Sequence, residues 1–120
     1  MSELNFINFF MSLYEIVFIA RQDLQREEVQ IISDQYKEEI KALDTELKKF
    51  EYWGLRSLAY EINKNKKGHY LYYIIQTNTS DKIKKVIDKL RYREDILRFS
   101  YFKTDSFDSK PSLMMQAPSN

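Results

Sequence analysis

Catalysis needs a nucleophile, an acid–base pair or a metal, and this chain holds little of that material. It has no Cys, hence no thiolate, no disulfide and no Cys-based zinc site. Its single His, His69, stands at the start of a predicted strand, reads as a surface or turn residue, and has no catalytic partner in view. No cofactor is expected. The side chains left to do chemistry are cations, and the chemistry open to them is phosphate binding with release of counterions. Arg91, Arg93 and Arg98 cluster where the last predicted helix meets the last strand, and a guanidinium can grip two phosphate oxygens at once. Lys103 ends that strand, and Lys64, Lys66 and Lys67 form a second patch on a polar turn. Lys82, Lys84, Lys85 and Lys89 read as a solvated helix face.

The wider charge pattern agrees. The 120 residues carry a net +1, but residues 1–47 sum to −6 and residues 48–120 to +7. Such an asymmetry points to a basic face and a polyanion partner. The length fits one small domain. With 43% hydrophobic and 15% aromatic residues the chain can build a core, so wholesale disorder is excluded. Two Gly and two Pro exclude collagen-like and low-complexity classes. No apolar run approaches the roughly 20 residues of a membrane span, so no membrane partner is expected.

The elements that must position these cations follow from periodicity. Residues 1–12 form an N-terminal extension without a secretory or transit pattern, and Met11 is a candidate second start. Leu13–Ala20 is a short run of apolar and β-branched residues, hence a strand. Asp23 is placed to cap a helix over about 24–43, because Val29, Ile32, Tyr36, Ile40 and Leu43 recur at steps of three and four. Residues 46–62 read as one long strand interrupted at Gly54, where a bulge is expected. Asn63–Gly68 is a hairpin turn and His69–Thr77 the next strand. Ser80 is placed to cap a second amphipathic helix over about 81–91, and Ile96–Lys103 is the last strand. Residues 104–120 hold four Ser and both Pro and read as a flexible tail, although Leu113, Met114 and Met115 give it something to dock with. The order strand–helix–strand–strand–helix–strand is α+β and ferredoxin-like: a βαββαβ chain with a four-stranded antiparallel sheet and two helices on one face of it.

That architecture leaves one sheet face uncovered, and the face is not polar. Alternation separates Tyr14, Ile16 and Phe18 from Glu15, Val17 and Ile19, and Leu71, Tyr73 and Ile75 from Tyr70, Tyr72 and Ile74. Both third-strand sets are apolar or aromatic, so a partner or a chain terminus is expected to cover the open face. Val17, Ile19, Tyr70, Tyr72 and Ile74 are its candidate partner-binding residues.

At the second strand the sequence resembles a known family. Glu51–Asn63 (EYWGLRSLAYEIN), with the following KNKKGHY, is similar to the bacterial small-subunit ribosomal protein S6 family, whose pattern of Gly, basic residue, Leu-Ala/Ser-Tyr and Ile falls here on Gly54, Arg56, Leu58, Ala59, Tyr60 and Ile62. Tyr14-Glu15 and the LRYREDILRF stretch from Leu90 to Phe99 match as well, so the likeness covers about 13–103 and looks closest to alphaproteobacterial members. The resemblance implies a structural role on the platform of the small subunit, in the bacterial cytoplasm or the mitochondrial matrix. It implies binding to the central domain of small-subunit rRNA as a heterodimer with ribosomal protein S18, with no catalytic step and no small-molecule substrate. It assigns the Arg91–Arg93–Arg98 junction to the RNA and makes Arg56 an RNA contact or a bulge-holding residue. Tyr60 and Trp53 are read as packing residues. The sequence departs from the family before Tyr14, where Ser12 and Leu13 stand in place of basic residues, and at Asp44-Thr45, where a Gly often ends the first helix.

Three rivals share the element order. An RRM-like single-stranded RNA-binding module would stack bases on Tyr70 and Tyr72. An acylphosphatase-like hydrolase would need a phosphate-cradling loop at Arg21, where no Gly-rich loop stands. A regulatory dimer would join through the open sheet face.

Overall fold

The structure is a computed structural model that describes residues 11–43, 45–78 and 80–116, without the side chains of Ser80, Leu90 and Arg91. Most of the N-terminal extension, up to Phe10, and Asp44 lie outside the described residues. The chain runs β1 (Ser12–Arg21), α1 (Arg26–Ala42), β2 (Glu46–Ile62), β3 (Asn65–Thr77), α2 (Ser80–Arg91), β4 (Ile96–Thr104) and a single-turn α3 (Leu113–Gln116). The four strands form one antiparallel sheet in the order β2-β3-β1-β4, the ferredoxin-like arrangement expected from the element order. No helix among the described residues is long and apolar enough to cross a membrane.

Both helices pack on the sheet face that carries Ile16, Phe18 and Ala20 of β1 and Leu71, Tyr73 and Ile75 of β3. Val29, Ile32, Tyr36 and Ile40 of α1 and Ile83, Val86 and Ile87 of α2 close the core from above, the faces the three-and-four spacing marks out. The aromatic centre is tight: the Phe18 ring lies 5.3 Å from Tyr36 and 5.5 Å from Tyr73, the latter edge-on, geometries that suit ring quadrupoles.

Asp23 does not cap α1. It pairs with Arg21 at 3.2 Å, and Gln25 takes the N-cap position, its backbone N–H donating to Glu28 Oε1 at 3.2 Å. The hairpin is also tighter than its polar stretch suggests. Ile62 pairs with Asn65, so the turn is only Asn63-Lys64, both at positive φ (45° and 65°); that conformation gives a two-residue turn the twist of its flanking strands. Gly68 therefore lies inside β3, not in the turn. A Cβ there would stand 2.3 Å from Ile19 Cγ2 and 3.1 Å from the Ala20 carbonyl, so close approach of β1 excludes a side chain. The bulge expected at Gly54 is present: Tyr52 pairs with Leu71 and Gly54 with Tyr70, leaving Trp53 as the extra residue and Gly54 at φ 91°. His69 is not a surface residue. It is buried, its Nε2–H donates to the Leu24 carbonyl at 3.0 Å and its Nδ1 accepts from the Tyr52 hydroxyl at 2.7 Å. Burial holds its pKa below the ordinary value although hydrogen bonding pulls the other way.

Candidate nucleic-acid interface

One end of the sheet gathers cations from three separate stretches of chain. Gln22, just past β1, is the organiser. Its backbone N–H donates to Asn65 Oδ1 at 3.0 Å, and its side-chain Oε1 accepts from the backbone of Lys66 at 3.3 Å and Lys67 at 3.2 Å. The base of the hairpin turn is thereby tied to the β1–α1 loop. Arg21 N–H donates to the Asp95 carbonyl at 2.9 Å, which ties the α2–β4 junction to the same place. Arg98 stands opposite Ile19 near the end of β1. Lys64, Lys66, Lys67, Arg21, Arg93 and Arg98 thus share one end of the molecule.

Their availability differs. Lys64, Lys66 and Arg98 are exposed, as phosphate ligands must be. Lys67 is half-buried. Arg93 is half-buried and already engaged: Nε and Nη2 form a fork on Asp95 at 3.0 and 2.8 Å, and Nη1 donates to Gln35 at 2.9 Å. The fork raises the Arg93 pKa and lowers that of Asp95, each being the main cause for the other. Arg21 is likewise paired with Asp23. Arg91 closes α2, but its side chain is outside the described residues. Two members of the predicted set are not at this end. Lys103 stands opposite Tyr14 at the other end of β1, in a cleft it lines with Lys48 and Gln76. Arg56 is buried, and its Nε and Nη2 donate to the carbonyls of Trp53 at 2.7 Å and Met114 at 2.6 Å. It holds the bulge, as the sequence allows, but through carbonyl oxygens.

Val17, Ile19, Tyr70, Tyr72 and Ile74 all lie on the sheet face away from the helices, by register with one another and by alternation with the core set. Part of that face is furnished from within. Trp53 stacks on Tyr72 at 4.7 Å and 22°, and on Tyr70 at 6.4 Å and 23°. The Tyr72 hydroxyl donates to Glu15, and the hydroxyl proton is held tighter by burial first and then by that carboxylate. Ile74 is fully buried. The RRM-like reading needs Tyr70 and Tyr72 open to bases, and Trp53 already stacks closely on Tyr72 and more loosely on Tyr70. The hydrolase reading loses a donor from its loop, since the Gln22 N–H is spent on Asn65.

The described part of the tail, residues 105–116, crosses β2 on this same face. Lys49 Nζ donates to the carbonyls of Asp108 at 2.6 Å and Lys110 at 2.8 Å. Ser112 donates to the buried Glu51 from its backbone N–H at 3.0 Å and its hydroxyl at 2.6 Å, and Trp53 Nε1–H adds a third donor at 3.0 Å. Burial raises the Glu51 pKa, but these donors and Lys49 outweigh it, so the net shift is downward from 4.5. A carboxyl with a lowered folded pKa stabilises fully above its unfolded value and ceases to do so as pH falls through the lowered one. The tail contact is therefore expected to hold at neutral pH and to release below about pH 4.5. Trp53 fluorescence followed by acid titration should report the release, and Glu51→Gln should remove the transition; a transition unchanged in that variant would rule Glu51 out.

Sequence reasoning missed Gln22 and Tyr60 at this site. Gln22 carries no signal, since an uncharged residue in a loop looks like any other. Tyr60 was assigned to packing, yet it is 58% exposed, its hydroxyl accepts from Arg98 Nη1, and the Arg98 guanidinium lies 5.0 Å from its ring centroid.

Comparison with known proteins agrees with the fold. A model of the family described as ribosomal protein S6 matches residues 13–103. The chain is 42% identical over 107 residues to small ribosomal subunit protein bS6 of Rickettsia canadensis, covering 88% of this chain and 87% of that one. It is 40% identical over 110 residues to the bS6 protein of Granulibacter bethesdensis, covering 92% and 71%. The crystal structure of 30S ribosomal protein S6 from Thermotoga maritima superposes with a TM-score of 0.74 at 24% identity, over 78% of this chain and 88% of that one.

Proposed function

Because the chain belongs to the ribosomal protein S6 family and is a structural component of the small ribosomal subunit, we propose that it binds small-subunit rRNA, in the central domain at the platform, through the cationic end of its sheet. Ribosomal protein S18 is the proposed heterodimer partner, received on the open face around Val17, Ile19 and Tyr70. The observation that carries this reading is the convergence of Lys64, Lys66 and Arg98 on one end through the Gln22 and Arg21 ties. Three exposed cations brought together by folding can follow a phosphate backbone, whereas the same charges scattered over the surface would only aid solubility. Much of the affinity is then electrostatic, and specificity comes from rRNA shape and from the partner. The ribosome is bacterial or mitochondrial.

The test is binding to a central-domain rRNA fragment across a salt series, with and without S18. Tight, salt-sensitive binding that needs S18 is the expected result. Equal binding without S18, above all to short single strands, would overturn the heterodimer reading and favour an independent RNA-binding module.

A further inference from the structure

The hairpin between β2 and β3 does something a plain hairpin does not. Ser57 pairs with Lys67 and Ile62 with Asn65. Residues 58–61 of β2 therefore oppose the single residue Lys66. Such a bulge bends a strand and re-aims a side chain. Its consequence is visible at Tyr60. β2 and β4 are the two edges of the sheet, separated by β3 and β1, yet Tyr60 of β2 touches Arg98 of β4. The hairpin end must fold back across the open face to make that contact. Tyr60 nevertheless stays 58% exposed, with a cation against its ring and its hydroxyl tied to the same guanidinium.

We propose that Tyr60, held by Arg98, is a stacking platform for an unpaired nucleobase of the bound rRNA. This rests on the rRNA-binding reading above and adds a residue and a ligand chemistry to it. The Tyr60 ring is exposed beside cations, so a flat aromatic ligand can reach it. Here Arg98 tethers the ring through its hydroxyl and lies against it, so less side-chain freedom remains to be lost when a base settles on it. Arg98 against the ring extends the flat surface, since a guanidinium plane also stacks on bases. Lys64 and Lys66, each one residue from the paired Asn65 at the hairpin's end, stand where the phosphates flanking such a base would run. Trp53 stacks on the aromatics that an RRM-like module would use, and of the two well-exposed rings near the cations, Tyr60 (58%) and Tyr92 (84%), Tyr60 is the one that Arg98 lies against.

The experiment uses the full chain, the central-domain rRNA fragment and S18. Tyr60→Ala is expected to weaken binding roughly ten- to a hundredfold, the range for losing one stacked base, with the slope of log K against log salt unchanged because no charge is lost. Tyr60→Phe, which keeps the ring, should stay within about threefold of the parent. The inference is overturned if Tyr60→Ala binds like the parent, if Tyr60→Phe is as weak as Tyr60→Ala, or if Tyr60→Ala changes the salt slope, since the residue would then act only by positioning Arg98. Wild-type protein that fails to bind the fragment with S18 present would instead overturn the rRNA reading itself. Because Tyr60 is exposed, its variants should share the parent's unfolding midpoint.

Discussion

Replacing Lys64, Lys66 and Arg98 together by alanine should weaken binding to the central-domain rRNA fragment on the order of a hundredfold near 0.1 M salt. The same triple change should flatten the slope of log K against log salt by about two to three. The size follows from counterion release, in which each phosphate contact contributes a little under one to the slope. The selectivity follows from the fold. These three side chains are exposed, and the hydrogen bonds that hold the hairpin come from the Lys66 and Lys67 backbone, which alanine retains. The unfolding midpoint should therefore hardly move, apart from the Arg98–Tyr60 contact. Lys103→Ala, at the other end of β1, is the matched comparison and should leave the slope as it is. Arg93→Ala should behave differently again. It strands a half-buried Asp95 without its fork, so the loss appears mainly as stability. A slope unaltered by the triple change would place the RNA elsewhere on the surface.

Phe18→Ala should cost about 3–5 kcal/mol of folding stability. Phe18 is inaccessible to solvent and touches both layers, with Tyr36 of α1 on one side and Tyr73 of β3 on the other. Its removal takes away a large transfer term and two aromatic contacts. It also leaves a cavity that neighbours fixed by the sheet register cannot close. For a domain whose whole stability is of order 5–15 kcal/mol, that brings the protein close to unfolding at ordinary temperature. Urea denaturation should show the loss as a lower midpoint at a constant m-value. A drop below about 1 kcal/mol would mean that α1 does not depend on this contact. The two experiments separate cleanly, since the first changes affinity at constant stability and the second does the reverse.

The parts of this protein legible in its sequence are those set by local repetition. The three-and-four spacing from Val29 to Ile40 places α1 and its buried face, and alternation in YLYYII separates Leu71 and Tyr73 from Tyr70 and Tyr72. Gly54 marks the bulge because few other residues adopt a positive φ there without strain. The family pattern between Gly54 and Ile62 is a string of neighbours and can be seen without a structure. Helix starts and the hairpin turn were less legible. Asp23 carries the better capping side chain, and only the path of the loop past Arg21, with which Asp23 pairs, leaves the N-cap to Gln25. The turn at Asn63-Lys64 follows from strand register, which the polar composition of NKNKKG does not specify.

The binding site shows the same division more sharply. Which cations exist, which strands and helices carry them, and the apolar character of both sheet faces can be read from the string of residues. Tertiary structure alone decided which of them act together. Arg91, Arg93 and Arg98 are close in sequence, but Arg93 turns to α1 and a carboxylate, while Arg98 reaches Tyr60 on the opposite edge strand. Arg56 and Lys103 look like their neighbours in the string, yet one is buried under the tail and the other stands at the far end of β1. The physical reason is that a charge is read by its distance from other charges and from water. Those distances are set by strand order and by contacts some forty or more residues apart, such as Gln22 with Lys66, whereas helix and strand patterns depend on residues two to four apart.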